Sequence, residues 1–336
     1  MTTVRRSIGD LVALAAPIVT VQVGLMTMGV VDTAMVGRVS ATGLAAVALG
    51  SLYFFMVSIF GVGVLMALDP VVAQGIGAGD RVAVARAVQR GLLMAGALTV
   101  WTSAWLWPAR PLLALFRQPS DVVPVAAAYA RTLIPGMLPF FVFVVLRQSL
   151  QAMGRVAPLI VAIVLANLAN VLFNWVLIFG HWGFPVMGAV GAGWATSLSR
   201  WLLTLGLLAA SWPLLRLTLL PLDRGAAAWD PVVRMLRIGI PIGLQHQLEF
   251  GAFAVAALLM GTLGTVQMAA HQVAINLASL TFMVPLGVGG AAAVLVGRAV
   301  GRGDPGDARR AALAALVVGA SFMACCAVVM RLVPQL

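Results

Sequence analysis

Two stretches decide what this chain can become. From Leu11 to Val31, twenty-one residues pass without a charge, and Val39 to Leu68 carries none at all. About 20 apolar residues in a helix are enough to cross the hydrocarbon core of a bilayer. Inside lipid, each backbone N–H and C=O must be satisfied within its own segment or by a closed barrel. Uninterrupted apolar runs of this length, without strict alternation, therefore predict membrane-spanning helices. The rest of the chain agrees: 62% of residues are hydrophobic and 9% charged, against about 25% charged in a soluble domain.

Nine spans are predicted: Leu11–Gly37, a second within Leu44–Gly77, then Val84–Trp107, Val122–Met153, Pro158–Phe179, Gly188–Trp212, Val232–Gly261, Val266–Val300 and Ala311–Met330. Trp101, Trp105 and Trp107 cluster as an interfacial anchor. Pro135 and Pro139 predict a kink in the fourth span. The expected fold class is an all-α membrane protein, a polytopic helical bundle. Residues 1–215 form a first lobe of six helices, 216–231 a linker, and 232–336 a partial second lobe of three.

All 21 basic residues are arginine, and the net charge is +11. Their placement in short loops fits topology signals and anionic lipid headgroups, and speaks against a nucleic-acid face. One side collects Arg5, Arg6, Arg81, Arg86, Arg90, Arg155, Arg216, Arg224, Arg234, Arg237, Arg298, Arg302, Arg309 and Arg310. The other holds Arg38, Arg110, Arg117 and Arg331. The positive-inside rule then places the N-terminus in the cytoplasm. No clear cleavage site follows the first apolar run, so it reads as a retained helix. Cys325 and Cys326 are adjacent in an apolar run, without metal or redox spacing.

The chain repeats itself at an offset of 224 residues. Pro17-Ile18 falls on Pro241-Ile242, Gly37 on Gly261, Ala45-Ala46 on Ala269-Ala270, and Gly63-Val64 on Gly287-Val288. Gly77, Gly79 and Asp80 fall on Gly301, Gly303 and Asp304, and Arg86-Ala87 on Arg310-Ala311. Six spans separate the copies, so both enter the membrane with the same polarity, a parallel repeat. With six spans in the first copy and three in the second, the expectation is a chain one quarter short of a two-lobed, twelve-helix molecule.

Asp32 interrupts the first span near its far end, and an intramembrane carboxylate is a functional candidate. Asn167, Asn170 and Asn174 share one helical face. They read either as interhelical hydrogen-bonding groups or as neutral oxygens turned to Asp32 around a cation such as Na+, with Thr196 joining. Glu249 is the only glutamate. Gln245, His246 and Glu249 share a face and, with His271 and Gln272, would line a second polar pocket holding a buried, proton-loading carboxyl. Asp69, before Pro70, reads as an interfacial group. Arg200, inside the sixth span, pairs with a carboxylate or snorkels. The Gly75, Gly77, Gly79 run follows a span and not a strand, which fails the context of a nucleotide loop. No nucleophile–base set or metal cluster is visible, so an enzyme is not expected.

The stretches VVDTAMVGRVSATGLAAVALG, PVVAQGIGAGD and AAHQVAINLASLTFMVPLGVGGAAAVLVGRAVGRGD resemble the multidrug and toxic compound extrusion (MATE) transporters, and the Glu249 context resembles the NorM-like branch. That resemblance implies two six-helix lobes around a cleft, acting in the bacterial inner membrane. It implies export of amphipathic, often cationic drugs coupled to Na+ or H+, with no other cofactor, and we expect a monomer. It assigns the cation and substrate roles to Asp32, Asn170, Asn174, Thr196 and Glu249, and the bend of the first helix to Pro17. The tenth-helix acidic and aromatic partners of the family have no counterpart, because the chain ends first. The rival expectations are a non-transporting fragment or interaction subunit, and a lipid or glycolipid flippase.

Overall fold

The computed structural model describes residues 2–115, 120–263 and 265–332, with side chains described for these outside 2–7, 257–258, 261–269 and 272–273. Arg117 and the side chain of Gln272 thus lie outside the described residues. All described elements are helical: α1 (Thr2–Gly37), α2 (Ala41–Leu65), α3 (Leu68–Gly77), α4 (Arg81–Leu106), α5 (Ala109–Leu115), α6 (Val122–Thr132), α7 (Met137–Ala152), α8 (Ala157–Phe179), α9 (Gly188–Leu219), α10 (Trp229–Leu263), α11 (Thr265–Gly301) and α12 (Pro305–Leu332). Among the described residues seven segments are long and apolar enough to cross a membrane, and an eighth qualifies if α4 and α5 count as one bent span. Large side chains such as Val100, Leu168, Leu248 and Leu316 are exposed, as expected of helices that meet lipid.

Two predicted spans are not continuous. The second breaks between α2 and α3 at Met66 and Ala67. Pro70 has no amide hydrogen for the Met66 carbonyl, which instead accepts from the Asp69 amide at 3.1 Å. The fourth breaks at a 3-10 turn, Ile134–Gly136, between α6 and α7, at the site of the expected proline kink. Beyond α4 the chain turns by 58° into α5, a short helix that the apolar pattern did not reveal. The sixth span was expected to end near Trp212, but α9 runs on to Leu219 through Pro213. Likewise α1 continues through Pro17.

The 224-residue repeat has a structural counterpart residue by residue. Gly79 and Gly303 both adopt left-handed backbone, with φ of 71° and 74°, a conformation glycine enters without a Cβ penalty. The Asp80 amide then closes onto Gly75 O, and the Asp304 amide onto Ala299 O, both at 3.0 Å. The Asp80 and Asp304 side chains cap the helices that follow, accepting from Ala83 N at 2.9 Å and Asp307 N at 2.8 Å. The repeated glycine–aspartate motif is therefore a helix stop and restart.

The copies meet through paired glycine contacts. A Cβ on Gly63 would lie 2.5 Å from the Gly243 Cα, and one on Gly287 would strike Val19. A Cβ on Gly77 would strike the Arg298 carbonyl, and one on Gly301 the Gln74 carbonyl. Each pair is its partner shifted by 224 in opposite directions, which is the signature of an interface about a pseudo-twofold axis. On that axis Gly297 faces Ala73, its own equivalent. Glycine lets helix backbones approach this closely, and small residues drive packing where lipid supplies no hydrophobic force.

The linker is not a loose tether. Gln89 on α4 is buried, donates to Thr218 O at 3.1 Å and Pro221 O at 3.0 Å, and accepts from the Asp223 amide at 2.8 Å. Arg90 donates to Ala226 O at 3.1 Å. Arg86 meets Asp223 at 2.7 Å, and this bond, with the Gly225 amide, holds the Asp223 carboxyl below the usual carboxylate range.

Candidate functional site: a caged carboxylate in the first copy

Asp32 lies a little over one turn before the end of α1 and is 4% exposed. Three neutral donors close on it. Asn174 Nδ2 donates to Oδ1 at 2.6 Å, Asn170 Nδ2 to the same oxygen at 3.1 Å, and Thr196 Oγ1 to Oδ2 at 2.6 Å. The asparagines stand one turn apart on α8, and both are fully buried. Asn174 Nδ2 also donates to Asn170 Oδ1 at 3.1 Å, which fixes the orientation of both amides. The Thr196 hydroxyl faces a second acceptor, Ala192 O at 2.9 Å. Its single hydrogen can therefore turn from the carboxylate to the backbone. Asn174 Oδ1 is buried with no partner, a free oxygen beside a carboxylate. Together these groups can hold either a bare carboxylate or, with small amide rotations, a small cation among oxygens.

Asn167 stands apart from this cage. Its amide donates to Gly24 O of α1 and to its own helix at Ile163 O, both at 2.9 Å, so it ties α8 to α1. Arg200, one turn along α9 from Thr196, makes no direct ion pair with a carboxylate among the described residues. Its guanidinium lies over the Phe54 and Phe140 rings, 4.3 and 4.9 Å from their centroids, and NH1 is buried without a partner. Nearby, Tyr129 and Ser51 share a hydrogen bond at 3.1 Å. Helical spacing within one span could not nominate Tyr129 or Ser51, because they arrive from other helices.

The second expected pocket is more open than the sequence suggested. Glu249 is not buried: its side chain is 44% exposed, and the His246 imidazole lies 3.8 Å away, one turn back on α10. His271 is half-buried on α11. Among the described residues no hydrogen bond joins this group to the Asp32 cage.

Asp69 overturns the expectation of an interfacial group. It is 7% exposed, because the break between α2 and α3 turns its side chain inward, where Gln148 Nε2 on α7 donates to it at 3.0 Å.

Comparison with known proteins follows the same outline. The MatE family model matches residues 17–176 and 241–336. The two matches begin 224 residues apart, the offset of the internal repeat. The "Probable multidrug resistance protein NorM" of Rhizobium meliloti (strain 1021) is 36% identical over 325 residues, covering 96% of this chain and 69% of the relative. The eukaryotic MATE transporter AtDTX14 superposes with a TM-score of 0.85 at 22% identity, over 94% of this chain and 70% of that one. A multidrug resistance MATE family transporter in an outward-facing conformation gives 0.82 at 22% identity, over 98% and 74%.

Proposed function

The chain belongs to the MatE family of multidrug and toxic compound extrusion transporters, and on that premise we propose that it exports amphipathic, often cationic drugs in exchange for Na+ or H+. The observation that carries this reading is the Asp32 cage: a buried carboxylate held by Asn170, Asn174 and Thr196, with an unused amide oxygen beside it. A charge enclosed in a membrane bundle is costly and for that reason marks a functional site, and the hydrogen bonds to this one come only from neutral donors.

In this scheme the coupling ion enters from outside and neutralises Asp32. The donor groups turn from the carboxylate as the ion binds; Thr196 already has an alternative acceptor in Ala192 O. The two copies, residues 1–215 and 232–336 as lobes, rock about their glycine interface. Glu249, His246 and His271, on the other copy, meet the substrate or a second ion. One charge moved down 100 mV contributes about 2.3 kcal/mol, enough to drive accumulation. The arginine distribution supports a cytoplasmic N-terminus in the bacterial inner membrane, and we take the acting unit to be a monomer.

Export from cells producing the Asp32→Asn and Glu249→Gln forms tests the scheme. Each is expected to lower cation-driven drug efflux to near background at wild-type membrane levels. Wild-type efflux from both would remove the coupling role.

A further inference from the structure

The export scheme leaves one enclosed carboxyl without a task. Asp69 sits where α3 begins, beside the contact between the copies: a Cβ on Gly297 would lie 3.6 Å from the carbonyl of the adjacent Pro70. Only Gln148 donates to Asp69, through Oδ2, and Oδ1 is buried with no partner. Arg147, next to Gln148 on α7, is close enough for its charge to act on Asp69. Yet it does not pair with it. Its NH1 donates instead to Oε1 of Gln22 on α1 at 2.9 Å, and its Nε is buried and unpartnered. Asp69 thus keeps an acceptor without a donor, and Arg147 a donor without an acceptor, on two helices packed against each other.

A buried carboxylate beside a half-buried guanidinium gains far more from direct pairing than either gains from a neutral amide. That Arg147 prefers Gln22 is the bonding pattern of a neutral Asp69. The repeat adds an independent point. The position equivalent to Asp69 in the second copy is Ala293, at the same place in the same fold, so building this element does not require an acid. On the helices packed against α3, Arg90 of α4 bonds Ala226 O, Arg86 of α4 pairs with Asp223, Arg81 at the start of α4 is exposed, and Arg298 of α11 bonds Ala152 O.

We propose that Asp69 is a second proton-binding site, which takes up and releases one proton during the cycle, and that Arg147 follows its state by moving between Gln22 and Asp69. With the proton on, Arg147 holds α1, as observed. When α3 and α11 part and water enters, the proton leaves Oδ1 for that water. The resulting carboxylate then draws Arg147 from α1 to α3. The site lies apart from the Asp32 cage and does not depend on its role.

Infrared difference spectra of the full chain in lipid vesicles, recorded across a pH titration, test this. Wild-type protein is expected to show a protonated-carboxyl stretch that disappears on raising the pH. Asp69→Asn should lose that band, and Asp32→Asn should keep it even if its export is normal. Gln148→Met leaves the acid in place without its donor, and should shift the band's midpoint by about one pH unit. Retention of every titrating band in Asp69→Asn overturns the proposal. If that variant does not fold, an unmoved midpoint in Gln148→Met overturns it.

Discussion

The hydroxyl of Thr196 divides its hydrogen between Asp32 and Ala192 O, and this makes it the residue that can tell the two coupling ions apart. Thr196→Val removes one donor from the carboxylate, a bond worth about 1.5–3 kcal/mol. Under proton coupling, efflux should then persist to more alkaline pH. Under sodium coupling, the ion loses an oxygen and half-saturation should rise, roughly tenfold or more. Measuring efflux against pH and against sodium separates the cases, and identical curves for variant and wild type would take Thr196 out of the cage. Much of this site was legible in the sequence. One acid in an apolar run and three asparagines on one face are simple spacing facts. The distinction between Asn167 and its neighbours was not, because a single turn decides whether an amide meets Asp32 or the Gly24 carbonyl.

Helices in this chain end where their backbone rules demand it, and those rules explain what sequence reading missed. Asp69 looked interfacial because it precedes a proline at the edge of an apolar run. The same proline breaks the helix one turn earlier and turns the acid inward. The glycine–aspartate motif looked like a faint nucleotide loop, but its geometry is a left-handed stop followed by a cap. Glycine at the contact of α3 and α11 has a sharper consequence. Gly77→Val and its counterpart Gly301→Val each place a side chain inside a backbone carbonyl of the other copy. Both should destabilise the assembled fold by about 1–3 kcal/mol or more, as expected of overpacking, and by similar amounts. Thermal unfolding in detergent measures it. A tolerated valine at either position would mean that the helices are not this close.

Seen whole, the molecule is held by contacts that come in mirrored pairs, so the copies can be locked from either side of the axis. Cysteines at Val19 and Gly287 would face each other across it. Oxidative cross-linking of that pair should arrest drug efflux, and reductant should restore it. Undiminished transport with the bridge formed would show that the halves do not separate here. The repeat itself was readable in the sequence from glycine, proline and aspartate spacing. Which helices it brings together was not, since an offset states equivalence and not proximity.

One contact has a meaning beyond packing. Ala73 and Gly297 are the same position in the two copies, and they touch. In an ancestor of half the length, working as a pair of identical chains, that residue would have pressed against its own twin. Not even a methyl could be doubled at such a point without the backbones moving apart. Any later enlargement in one copy would demand glycine in the other, which ties the histories of the two residues together.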